Sequence, residues 1–157
     1  MNFAFVLVQV FAIGLVSGLR AFTGPAVVAW AARLGWIDLS SSRLAFMGSI
    51  WAVGIFTVLA LVEYVTDQLP STPARTVPMQ LAARLVLGVL AGVCLAVAGG
   101  VAIWIGVLVA AIGVLVGTYG GYSTRLGLVR SLKVRDIAVA IPEDLVAIGL
   151  GLFVVSK

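Results

Sequence analysis

The chain contains no histidine and a single cysteine, Cys94, among its 157 residues. Without histidine, the commonest general base and the commonest metal ligand are missing. Any chemistry then rests on six carboxylates, ten basic groups, three tyrosines and the hydroxyls. One cysteine excludes a disulfide framework and a two-cysteine metal site, and within its apolar run Cys94 reads as a small packing residue. Charge is scarce too, at 10% of residues against about a quarter in soluble globular chains. No loop is long enough for a receptor domain. Beyond membrane lipid and a second copy of itself, no macromolecular partner is suggested, and nothing points to nucleic acid.

What fills the chain is hydrocarbon. A hydrophobic content of 62% and a mean hydropathy of +1.22 predict an all-α integral membrane protein. Its length allows about four to six crossings of roughly 20 residues, forming one domain over 1–157. The first apolar run, Phe3 to Leu19, lacks a basic n-region and a small-residue cleavage site, so it is read as a retained helix.

Phe3 to Leu34 as one helix would measure about 48 Å and overshoot a hydrocarbon core of about 30 Å, so a break is required. Arg20 and Gly24-Pro25 mark it, with a short helix expected from Pro25 to Arg33. "GWIDLSSSR" then reads as an interfacial loop with Trp36 at headgroup level. Further segments are expected at Leu44 to Val65, Met79 to Ala98, Val101 to Thr118 and Ile137 to Val155. The second ends in the proline-rich turn "EYVTDQLPSTPARTVP".

Between the fourth and fifth segments lies "YGGYSTRLGLVRSLKVRD". Its basic residues from Arg125 to Arg135 place this loop in the cytoplasm by the positive-inside rule. Five crossings of an inner membrane give an N-in, C-out topology; if "GPAVVAWAARLG" re-enters or crosses, the N-terminus changes side. Pairs of glycines four apart (14 and 18, 88 and 92, 113 and 117, 117 and 121) are read as internal helix packing rather than a dimer seam.

Ionisable groups at membrane depth cost at least roughly 2.5–3.5 kcal/mol each on insertion scales, so they mark cavities or partners. Glu63 and Asp67 stand four apart on one helical face and require a nearby cation, with Arg75 or Arg84 as the expected partner. Arg84, near its helix start, is placed to snorkel, and Arg125 reads as a topology determinant. Glu143 and Asp144 follow Pro142. A helix starting there would hold about 13 residues, too short to span, so a second broken segment is expected with the acidic pair in its first turn. "GLRAFTGPAVVAW" and "RDIAVAIPEDLVAIG" then correspond as a weak inverted repeat, the usual pointer to a transporter site.

The stretches "SGLRAFTGP", "EYVTDQLPSTPARTVP", "GGYSTR" and "IPEDLVAIG" together resemble a bacterial integral membrane family described only as a domain of unknown function. The resemblance spans essentially the whole chain. It implies a compact polytopic helical fold and assigns no residue a role.

Three functions are open. The first is a transporter-like or channel-like protein whose polar site joins Arg20, Thr23 and Gly24 to Glu143 and Asp144, with Glu63, Asp67 and Arg84 as further binding or gating groups. It would handle a proton, a small solute or an anionic lipid headgroup. The second is a structural or accessory subunit with internal salt bridges such as Arg20 with Glu143. The third is an intramembrane lipid-modifying enzyme, disfavoured because no catalytic motif is present. No cofactor and no metal is expected.

Overall fold

The computed structural model describes residues 2–67, 76–132 and 136–157. Arg75, Lys133, Arg135, Pro70 and Pro73, which the sequence reading assigns to loops, lie outside the described residues. Six α-helices make up most of the rest: α1 Phe3–Leu19, α2 Thr23–Arg33, α3 Ile50–Thr66, α4 Pro78–Ala98, α5 Ile103–Leu132 and α6 Asp136–Val155. A short 3₁₀ turn, Ala45–Gly48, leads into α3.

Local chemistry sets several of the ends. The Asn2 side chain accepts from the Ala4 amide at 3.0 Å, and Ser49 does the same for Ala52 at 3.1 Å. Pro78 opens α4, at a position where a backbone donor has no helical partner. Gly35 and Gly100 follow α2 and α4 with φ of 75° and 71°, and the next amides, Trp36 and Val101, reach back to the carbonyls of Ala31 and Ala96. That left-handed closure is open to glycine without strain.

α1 is the central element, flanked by α5, α4, α6 and α2. It buries Val6, Val10, Ile13 and Val16 along one stripe at helical spacing. Glycines let the backbones close in. A Cβ on Gly113 would lie 3.0 Å from the Leu15 amide nitrogen, and one on Gly99 would lie 2.6 Å from a Val6 methyl. Gly14, Gly18, Gly88, Gly92, Gly113 and Gly117 all face α1, α4 or α5 of the same chain, so these small-residue pairs serve internal packing. α3 is the most peripheral helix, packed mainly on α2, with Trp51, Ile55, Val58 and Val62 turned outward.

Side-chain contacts fix the directions. Gln9 reaches the Val154 carbonyl at 2.7 Å while Arg20 reaches Asp144, so α1 and α6 run antiparallel. The amides of Ala21 and Phe22 meet Glu63, whereas Trp30 meets Thr57 at 3.1 Å, so α2 and α3 are also antiparallel. Gly24 packs on Ser17 and Ile13, which folds α2 back beside α1. The start of α1 and the end of α6 therefore share one end of the bundle.

The first break falls over Arg20–Phe22, where Arg20 marks it, and α2 starts at Thr23, two residues before the expected Pro25. Three expectations are corrected. α5 does not stop near Thr118; it continues to Leu132 and takes in most of the expected basic loop. The glycines of "YGGYSTRLGLVRSL" lower helix propensity, but basic residues near a helix C-terminus suit its dipole. α6 runs through Pro142 without interruption. Proline removes one backbone bond there, and a single such loss is tolerated in an apolar helix with close neighbours. With a turn at one end and a continuous helix at the other, the two proline-marked stretches do not correspond as repeats.

α4 and α5 are long and apolar enough to cross a membrane, and α1 and α3 are shorter apolar helices of 17 residues each.

Candidate functional site

The hairpin turn between α1 and α2 leaves backbone groups unpaired on both sides: carbonyls at the end of α1 and amides at the start of α2. Two side chains from other helices satisfy them. Glu63 of α3 accepts from the Ala21 amide at 2.7 Å and the Phe22 amide at 3.0 Å. Arg84 of α4 donates to the carbonyls of Gly18 at 3.2 Å and Leu19 at 2.9 Å, and Thr118 of α5 adds a bond to Gly18 at 3.2 Å. Arg84 and Glu63 face each other at 3.5 Å, so the staple is closed across the turn.

Arg20, the last residue before the turn, is the centre of a second set of contacts. Its backbone is extended, with φ −141° and ψ 110°, and its side chain is fully buried. The guanidinium pairs with Asp67 at the end of α3 and with Asp144 of α6, the latter at 2.5 Å. It also lies over the Tyr64 ring, 5.8 Å from the centroid, within cation–π range. Tyr64 in turn shares a 2.7 Å hydrogen bond with Thr23, the first residue of α2. Asp67 lies 3.7 Å from Arg84 and so links the two sets.

Of the sequence-derived candidates, Arg20, Thr23, Glu63, Asp67, Arg84 and Asp144 come together here. Gly24 is adjacent: it packs so tightly on Ser17 that a Cβ there would collide with the serine hydroxyl. Glu143 does not join. Consecutive residues on a helix point about 100° apart, so with Asp144 turned to α1, Glu143 meets Arg125 of α5 at 3.5 Å. Arg20 is therefore not Glu143's partner, and Arg125 is an ion-pair residue within a helix rather than a loop charge. Arg84 does not snorkel; it is 1% exposed and points to the turn. Among the described residues no three carboxylate or cysteine groups converge to hold a metal ion.

Sequence reasoning missed Thr118, Ser17 and Gln9, all buried. Single hydroxyls and amides in apolar runs carry no spacing signal; the fold pairs Thr118 with Gly18 and Gln9 with Val154, whereas the Ser17 hydroxyl has no hydrogen-bond partner among the described residues. At the opposite end of the bundle, the Ser40 hydroxyl (2.6 Å) and amide (2.9 Å) both donate to Asp38 and hold its carboxyl below the usual carboxylate range. That loop borders an open pocket also lined by Arg33, Ile37 and Leu39.

The chain matches the model of the family described as Domain of unknown function (DUF4126) over residues 7–156. No curated protein and no solved structure matches it.

Proposed function

The chain belongs to that uncharacterised family, and from this premise we propose that it is a small multi-pass transport protein of the cell inner membrane, coupled to protons through the cluster around Arg20. Five helices cross, and α2, too short to span alone, returns the chain together with the loop that follows it. The basic end of α5 faces the cytoplasm by the positive-inside rule, and both chain ends face outward. No residue is assigned a catalytic role.

One observation carries the reading: two carboxylates on different helices, Asp67 and Asp144, share the one buried guanidinium of Arg20. Among the described residues the cluster sets three carboxylates, Glu63, Asp67 and Asp144, against the two guanidinium groups of Arg20 and Arg84, the kind of intramembrane ionisable set that marks a proton or ion path. A proton on either aspartate releases one arm of Arg20. α3, which carries Asp67 and packs mainly on α2, is the element that can then shift. α2, about 16 Å long, supplies a half-helix beside the site, in the manner of transporter folds. The cargo is a small solute or an anionic headgroup.

A second reading has its own support. Glu63 and Arg84 are engaged with the backbone of the turn, so the cluster also serves as a structural node in an accessory subunit. The experiment that separates them is proton flux in liposomes. Asp144→Asn is expected to lower flux at least about tenfold in a protein that is destabilised by the loss of one charge-assisted bond but still folds. Wild-type flux in a folded Asp144→Asn protein sinks the transport reading. In a purely structural node, Arg20→Gln with Asp144→Asn together would be more stable than either change alone.

A further inference from the structure

Outside the ion cluster, α5 and α6 part to leave a cleft of about 440 Å³, in the range of small-molecule sites. Leu19 at the end of α1 borders it, Leu128, Val139 and Val146 line it with hydrocarbon, and Arg125 and Glu143 stand on opposing walls. We propose that this cleft binds a zwitterionic aminophospholipid, seating one acyl chain between α5 and α6 with the phosphate at Arg125 and the ammonium at Glu143.

Three observations converge on that occupant. The first is depth: Arg125 lies about 33 Å along α5 from Ile103, just beyond a hydrocarbon core of about 30 Å, which is where a headgroup sits. The second is access. Leu128 and Val146 at the mouth are 41% and 59% exposed, so the cleft opens sideways toward lipid rather than into the bundle. The third is charge. An anionic headgroup alone would meet Glu143, and a cationic amphiphile alone would meet Arg125. A headgroup carrying both signs suits both walls, its phosphate and its ammonium each meeting the opposite charge beside the 3.5 Å ion pair. A primary ammonium has N–H groups to donate to Glu143, and a quaternary one has none.

The inference rests on the membrane placement above but not on transport, and it is read without any flux. The test is native mass spectrometry of the full chain in mild detergent, after incubation with equal amounts of phosphatidylethanolamine, phosphatidylglycerol and phosphatidylcholine. The wild type is expected to retain phosphatidylethanolamine about tenfold over each of the others, and Glu143→Gln to lose that preference. Val146→Trp, at the exposed mouth, is expected to block retention of all three while thermal unfolding stays unchanged. Retention of phosphatidylglycerol or phosphatidylcholine equal to that of phosphatidylethanolamine by the wild type would overturn the proposal, as would phosphatidylethanolamine retained by folded Val146→Trp. Should Glu143→Gln fail to fold, the wild-type preference and Val146→Trp still decide.

Discussion

Replacing Arg84 by glutamine is expected to cost about 3–5 kcal/mol of stability, the range seen when one partner of a buried ion pair is removed. The guanidinium holds two carbonyls at the end of α1 and faces both Glu63 and Asp67. Glutamine offers a single neutral amide in place of this fork, so the carbonyls and carboxylates lose their donor inside an apolar bundle. Glu63→Gln acts on the other half of the same staple, where one carboxylate serves two amides. The two changes touch one network. Combined, they are expected to cost clearly less than the sum of the single effects, since neither charge is then left facing an empty partner. Thermal unfolding in detergent, read for both single variants and the double, checks this. Additive losses would mean that the two side chains act independently and that no staple exists.

Gly18→Ala is expected to be nearly as damaging, although it adds one methyl group. The new Cβ would press on the Val114 carbonyl and lie 2.8 Å from the Thr118 amide nitrogen and 2.9 Å from Gly117 Cα. All three are backbone atoms, so α1 and α5 must separate rather than repack a side chain. Overpacking of this kind costs about 1–3 kcal/mol and sometimes more. The damage does not stay local, because the Gly18 carbonyl accepts from both Arg84 and Thr118. Gly149 provides the contrast. A Cβ there meets nothing within 4 Å, so Gly149→Ala is expected to be neutral or to stabilise by up to about 1 kcal/mol. Unfolding midpoints of the two alanine variants should therefore move in opposite directions, or Gly149→Ala should not move at all. A Gly18→Ala protein as stable as wild type would contradict the interlocked packing.

Several features were legible from the chain itself. Apolar runs located α1, α4 and the end of α3 to within a residue or so, though α3 starts at Ile50 rather than Leu44, and the long span from Phe3 to Leu34 forced a break by length alone. The family resemblance held over nearly the whole chain. Glu63 and Asp67, four apart, do share a face and a cation. The rest depended on tertiary partners. Arg20 marked the first break and Pro25 came two residues late, but what holds the turn, Glu63 and Arg84, lies far away in sequence. Pro142 looked like a helix start because carboxylates follow it, yet those carboxylates are set by Arg20 and Arg125 on neighbouring helices. Position near a helix start suggested that Arg84 reaches outward; the unpaired carbonyls of α1 draw it inward. Where charge meets backbone across helices, spacing within one helix carries no information.

The measurement that tests the transport account most directly is thiol access to the turn from each side of the membrane. Thr23 is 2% exposed, lies beside Tyr64 at the cluster, and differs from cysteine by little in size. In a Cys94→Ala background, Thr23→Cys would be treated with a membrane-impermeant maleimide from one face of oriented vesicles and then from the other. A site that exchanges protons across the membrane must open in turn to both faces, so modification from each face is the predicted result. Modification from one face alone, or from neither, in a protein that remains folded would contradict the account and leave the cluster as a structural node.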